Sequence, residues 1–316
     1  MPDVATTRTR PLMLTVAACL LPGITLQAAL IAPAGVAANL LTAVLVAAAT
    51  ERACQALRGN RPGTRITDSD AAALVTALIL AVALPPGAVL PVALATMLAL
   101  ALGRHAYGGL GSNVFNPAMV GYAAVLVSLP GALSSWPVPG AMNVDVDGLT
   151  GATVLTTFKY RGAATVADVW QPDAGFGLAG GAGYEWVALA YAAGGLWLFG
   201  KRIAAWRPAA GMLTTLGVAG LAGYDNGSSA SLGSPAFHLA SGGALMAACF
   251  VATDPVTHPE SHRGQWLFGI AVGAMTFAVR AWGNYPDGIA FGILLGNALT
   301  PYLDRRLSRA PETDHG

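Results

Sequence analysis

Charge is what this chain lacks. Only 10% of its 316 residues are Asp, Glu, Lys or Arg, against about a quarter in soluble domains. So little polar surface cannot coat a fold in water, which excludes an ordinary soluble globular protein. The charges present nearly cancel, at a formal net +1, so there is no basic excess to attract nucleic acid. Cysteine is scarce too. Cys19, Cys54 and Cys249 lie far apart in apolar stretches with no C-x-x-C spacing. Alone they cannot supply the four thiolates of an iron–sulfur cluster. Two readings of them stand: small buried hydrophobes, or a ligand shared with other subunits.

What is present is apolar length. Hydrophobic residues make up 54% of the chain and the mean hydropathy is +0.57, a composition suited to lipid. Stretches at 12–31, 35–57, 70–84, 88–103, 117–130, 185–200, 208–223, 236–252, 265–282 and 287–303 predict ten transmembrane helices. Several are short against the roughly 17–25 residues a span requires. Arg8 and Arg10 precede the first run as in a signal peptide. A second span follows at once, however, and no small-x-small site leads into a hydrophilic domain, so the run reads as an uncleaved first span.

Basic residues then orient the bundle. With the N-terminus in the cytoplasm, all 17 Lys and Arg except Lys159, Arg161 and Arg280 fall on the inner side, the bias that basic residues near span ends display. The expectation is a multi-pass protein of a bacterial inner membrane with both termini cytoplasmic and residues 131–184 periplasmic. That loop carries Asp145, Asp147, Asp168 and Asp173. It exceeds the roughly 12–15 residues beyond which structureless connections are uncommon.

The chain also echoes itself. Residues 71–129 run through a small-residue span, a Pro break, a second span and a Gly/Asn/Pro stretch opening a third, and residues 243–302 repeat that order. Five spans separate the copies, and an odd number inverts the second, as in folds whose site lies at a repeat interface. The competing reading is that any Gly/Ala-rich bundle gives such echoes.

Four polar motifs interrupt the apolar background. Gly108-Gly109-Leu110-Gly111-Ser112-Asn113-Val114-Phe115-Asn116-Pro117 offers close backbone approach and two amides, three residues apart, suited to the edge of a planar heterocycle. Alternatively Asn116 simply caps the helix opened by Pro117. Ala252-Thr253-Asp254-Pro255-Val256-Thr257 puts an acid near a span end, either a functional intramembrane group or an interfacial cap. Tyr285-Pro286-Asp287-Gly288 reads as a turn and helix start. In the outer loop, Asp147-Gly148-Leu149-Thr150-Gly151-Ala152-Thr153 surrounds a hydroxyl with small residues, open to modification, and Asp147 is placed to help a modifying enzyme.

These motifs, in this order, resemble the D subunits of the Rnf electron-transport complex and their homologues, the B subunits of sodium-translocating NADH:quinone oxidoreductases. The likeness spans nearly the whole chain, and its length and short N-terminus favour the Rnf branch. It implies an all-α membrane protein of two inverted five-helix repeats, similar to urea transporters, at residues 1–130 and 185–316, with 131–184 as the loop between them. It implies FMN joined by a phosphoester to Thr153, with Asp147, Thr150, Gly151 and Ala152 completing the motif, installed from FAD by a flavin transferase. It further implies riboflavin near Asn113 and Asn116, and the other Rnf subunits as partners. The activity implied is that of a redox-driven translocase, an ion-translocating ferredoxin:NAD oxidoreductase. A tether keeps the flavin at high effective concentration without a tight pocket. Lys159 and Arg161 stand near enough in sequence to offset the phosphodiester's charge, or are simply solvated. The rivals are a secondary transporter or channel with no redox role, and a scaffold subunit that has lost its cofactor.

Overall fold

A computed structural model describes residues 9–59, 67–134, 136–137, 150–151, 153–171 and 175–307, with the backbone alone at 150–151. The first half holds α1 (Thr9–Leu30), α2 (Pro33–Leu57), α3 (Asp68–Ala83), α4 (Val89–Ala101) and α5 (Pro117–Ser128). Short elements follow: α6 (Pro130–Leu133), β1 (Trp136–Pro137), β2 (Thr150–Gly151), α7 (Val154–Lys159) and α8 (Val166–Val169). The second half holds α9 (Tyr184–Gly200), α10 (Trp206–Ala222), α11 (Pro235–Ala240), α12 (Ala244–Met246), α13 (His262–Trp282) and α14 (Ile289–Leu307). Each of the ten apolar stretches is helical. The eighth, expected as one helix over 236–252, is not continuous. It breaks at Ser241–Gly243 and resumes in α12, which runs on into a π-helical turn at Ala247–Val251.

Local chemistry sets the helix starts. Thr67 and Asp70 form a reciprocal capping box at α3, Asn116 caps α5 ahead of Pro117, Ser234 caps α11 ahead of Pro235 and Ser261 caps α13. Each cap satisfies a backbone N–H that the first helical turn leaves open.

Small residues let the helices approach closely, the usual device where lipid gives no hydrophobic drive between them. A Cβ added to Gly121 of α5 would collide with the Ala95 carbonyl oxygen of α4. Both halves show the same neighbours: α2 packs on α3 and α4 as α10 packs on α11 and α13, and α4 meets α5 as α13 meets α14. The halves join through α1 against α9 and α5 against α14.

Polarity is inverted relative to a soluble fold. Asn39, Glu51 and Asn297 are fully buried, while Val218 and Leu221 turn 68% of their surface outward. Thr9–Leu30, Pro33–Leu57 and the stretch Val89–Tyr107 are long and apolar enough to cross a bilayer unaided. The chain is an all-α membrane protein whose short loop elements sit at one end of the bundle.

Candidate functional site

The segment around Thr153 is held on both sides. Upstream, Thr150 and Gly151 pair antiparallel with Pro137 and Trp136. Downstream, Thr153 caps α7: its Oγ1 accepts from the Thr156 amide at 3.2 Å and lies 2.9 Å from the Thr156 hydroxyl. Thr153 is half-buried. Asp147 and Ala152 lie outside the described residues.

Lys159 ends α7 and reaches across to the second half. Its Nζ donates to the carbonyls of Val279, Arg280 and Tyr285 at 2.7–3.1 Å, closing the C-terminus of α13, where a cation also meets the negative end of the helix dipole. Burial pushes the Lys159 ammonium below the usual lysine range. Arg161 is likewise committed, donating to the carbonyls of Phe158, Ala164, Ser229 and Ser231, and burial lowers its guanidinium as well. Their hydrogen bonds thus run to backbone carbonyls, and their visible work is to hold the loop onto the bundle.

Thr153 stands on the wall of a cavity of about 460 Å³ between the halves, inside the roughly 300–1,000 Å³ range of small-molecule sites. Tyr122 and Met119 come from the first half, Tyr184, Tyr191 and Ala290 from the second, and Trp136 from the ladder. The walls are mostly apolar and aromatic. Among the described residues, two hydroxyls from this lining, Tyr184 Oη and Ser241 Oγ, are buried without a hydrogen-bond partner. Asp287 also lines the cavity. Its carboxylate accepts from Gly288 and Ile289 at the start of α14 and pairs with Arg280 at 3.0 Å. Arg280 also donates to the carbonyls of His238 and Ser241. Gly242, at φ +67°, passes so close that a Cβ there would collide with Asp287 Oδ2.

The helix break at Ser241–Gly243 is therefore what opens the wall. Irregular backbone at membrane depth is tolerated where it lines a cavity.

The other end of the bundle holds the two remaining motifs, and they meet. Asn116 Nδ2 donates to Asp254 Oδ2 at 3.1 Å, the Asn116 amide donates to Asn297 Oδ1 at 2.9 Å, and Asn116 Oδ1 accepts from Met119. Asn297 Nδ2 in turn donates to the Thr257 carbonyl. Asn116 is thus a cap and a bridge between halves at once. Asn113 Nδ2 turns back onto the Phe115 carbonyl, so the two amides do not present as a matched pair. Asp254 accepts from the Val256 amide as well, joining the turn to the bundle interior.

Sequence reading missed one cluster entirely. Glu51 is fully buried and accepts from Ser69, Gln55 and His105, with the Arg104 guanidinium 3.7 Å away. Its signal was available: Glu51 is a carboxylate inside an apolar span, which is expensive and marks a site by default. Arg280, passed over as an exception to the charge bias, carried the same signal.

Comparison with known proteins places these features in one lineage. The profile of the NQR2, RnfD, RnfE family matches residues 4–311. The chain is 46% identical to the D subunit of the ion-translocating oxidoreductase complex of Pseudomonas paraeruginosa, over 86% of this chain and 82% of that one. It is 42% identical to its Pseudomonas aeruginosa counterpart, over 94% and 90%, and 35% identical to that of Escherichia coli, over 84% of each. With that profile matching nearly its whole length, this chain belongs to the NQR2, RnfD, RnfE family.

Proposed function

We propose that this chain is the membrane flavoprotein subunit of an ion-translocating ferredoxin:NAD oxidoreductase complex, carrying FMN on Thr153. The observation that carries the reading is the position of the Thr153 hydroxyl on the wall of an aromatic cavity between the halves. A planar ring with a polar edge fits such a site: apolar walls, a few convergent polar groups, and buried hydroxyls lacking partners. Once bound, the flavin supplies the electron chemistry, and the protein supplies position and surroundings.

The chain's own residues have definable parts. Thr153 Oγ loses its proton when a flavin transferase forms the phosphoester from FAD and AMP leaves. Thr156 then becomes the donor in the 2.9 Å contact between the two side-chain oxygens, and the cap on α7 survives because an ester oxygen still accepts. The β1–β2 ladder and the Lys159 clamp hold the attachment point against the bundle. The aromatic walls give the ring apolar surface to pack against. Arg280 keeps the Asp287 carboxylate neutralised behind the cavity.

The matching sets of neighbours in the two halves support two inverted five-helix repeats, residues 1–130 and 185–316, joined by 131–184. With ten spans in a bacterial inner membrane, the distribution of basic residues supports both termini on the cytoplasmic side and Thr153 on the periplasmic side. The names of the relatives support the redox-driven translocase and the other subunits of that complex as partners. A riboflavin near Asn113 is the remaining cofactor proposal. Asn116 has its amide groups committed, so Asn113 is the residue to test, and acid extraction of a non-covalent flavin that diminishes in Asn113→Ala is the expected result.

Intact-mass measurement of the chain produced together with a flavin transferase tests the central claim. The added mass of FMN, with ultraviolet fluorescence surviving denaturation on a gel and complete loss of both in Thr153→Ala, is expected. A chain weighing only its polypeptide mass, with solute flux through the isolated subunit, would instead favour a transporter of the same architecture, which a cavity between repeats would also serve.

A further inference from the structure

We infer that Tyr184 and Ser241 are the residues that recognise the polar edge of the flavin ring and set its reduction potential. The inference rests on the reading that FMN is attached at Thr153.

Two hydroxyls from separate elements share one cavity and one anomaly. Tyr184 opens α9, and Ser241 occupies the break between α11 and α12. Both line the cavity that Thr153 borders. Among the described residues, Tyr184 Oη and Ser241 Oγ are each buried with no hydrogen-bond partner. Buried hydroxyls are nearly always satisfied, and an unsatisfied one calls for a specific explanation. Neither residue is loosely held. The Tyr184 ring meets Trp136 edge-on at 6.1 Å, and Trp136 is the ladder partner of Gly151, two residues before Thr153. Ser241 is fixed through its backbone, because its carbonyl accepts from Arg280 at 3.0 Å. Its hydroxyl is left over. The supports are fixed, and the two oxygens are enclosed beside the cavity, so a ligand with both donors and acceptors on its rim would satisfy them by drawing each hydroxyl a short way into the cavity.

The ring of a flavin has that rim, with two carbonyl oxygens, an N–H and unprotonated ring nitrogens along one side. A hydroxyl both donates and accepts, so each can meet either kind of group. Reduction adds electron density to that edge. A donated hydrogen bond strengthens as the acceptor becomes more negative, so the two hydroxyls favour the reduced ring over the oxidised one. Tyr191 contrasts with them: its hydroxyl faces Gln27 Oε1 at 3.4 Å, so it contributes wall surface without an orphaned group.

The test is a redox titration of the isolated, flavinylated full chain, followed by flavin absorbance, for wild type, Tyr184→Phe, Ser241→Ala and the control Tyr191→Phe. Intact mass first establishes that each variant carries FMN. The expected result is a downward shift in Tyr184→Phe and in Ser241→Ala, each corresponding to about a tenfold smaller equilibrium constant for reduction, or roughly 30 mV for a two-electron couple. Tyr191→Phe stays at the wild-type value. Flavinylated Tyr184→Phe and Ser241→Ala titrating with wild type would overturn the inference while leaving attachment at Thr153 intact. Absence of FMN mass from wild type would overturn the underlying reading instead. Should one variant lose its flavin during maturation, the shift or its absence in the other decides.

Discussion

Each half of the molecule buries an arginine with a carboxylate, Arg104 just past the end of α4 and Arg280 in the last turn of α13, and the two pairs differ in what surrounds them. At one end Glu51 is fully enclosed and accepts from Ser69, Gln55 and His105 while facing Arg104. At the other, Asp287 keeps 21% of its side chain accessible and borders the cavity, with Arg280 behind it. The same device serves a sealed joint in one place and a cavity wall in the other. What separates them is the break at Ser241–Gly243, which has no counterpart in α3, a continuous helix from Asp68 to Ala83. A buried pair tells little by itself. Its surroundings decide whether it closes a core or frames a site.

The sharpest way to break this comparison is to remove each carboxylate. Glu51→Ala leaves the Arg104 guanidinium buried without its counter-charge and is expected to cost about 3–5 kcal/mol, read from reversible unfolding in mixed micelles. Asp287→Ala exposes Arg280 to the cavity, where solvent helps, and loses charge-assisted hydrogen bonds for about 1.5–3 kcal/mol. Equal losses at the two sites would erase the distinction between sealed and open. A step smaller, Lys159→Met removes three hydrogen bonds that fasten α7 to the end of α13 and is expected to cost about 1–3 kcal/mol. Faster proteolysis confined to the α7 segment checks it, and unchanged cleavage there would show that the clamp is dispensable.

The smallest effect belongs to α8. The Thr165 hydroxyl and backbone N–H hold the Asp168 carboxyl below the usual aspartate range. Because its folded value is depressed, its contribution is complete above the ordinary value of about 3.9 and fades as pH falls through the lowered one. Hydrogen exchange at the Val169 amide, corrected for the intrinsic rate, is expected to quicken only in that acid window, while α13 stays protected. Loss of protection already at neutral pH would remove Asp168 from the cap.

Much of the architecture was legible because an apolar run in a charge-poor chain admits few structures. All ten stretches are helical, and Asn116, marked as a possible cap, is one. The break inside 236–252 was not foreseen, although Ser241-Gly242-Gly243 spells it. Hydropathy averages over a window, and three small residues leave an average intact. The cavity was out of reach for a different reason. Tyr122, Tyr184 and Ser241 are ordinary residues until the fold gathers them around Thr153. The Asn116–Asp254 contact likewise joins two motifs that were recognised separately, 138 residues apart. The backbone-carbonyl partners of Lys159 and Arg161 were out of reach on similar grounds, because they include Tyr285 and Ser229, remote in sequence.

The Lys159 clamp has a mechanical consequence. Helix α13 runs the length of the bundle, from Ser261 near the Asp254 turn to Trp282 beneath the loop, packed along α10 and α14. Its far tip is tied through one ammonium to the six-residue helix that Thr153 caps. A rod joined at its tip transmits axial displacement with little slack. Any event that shifts α13 at the Asp254 end is therefore passed along the helix to α7 and to Thr153 at its start.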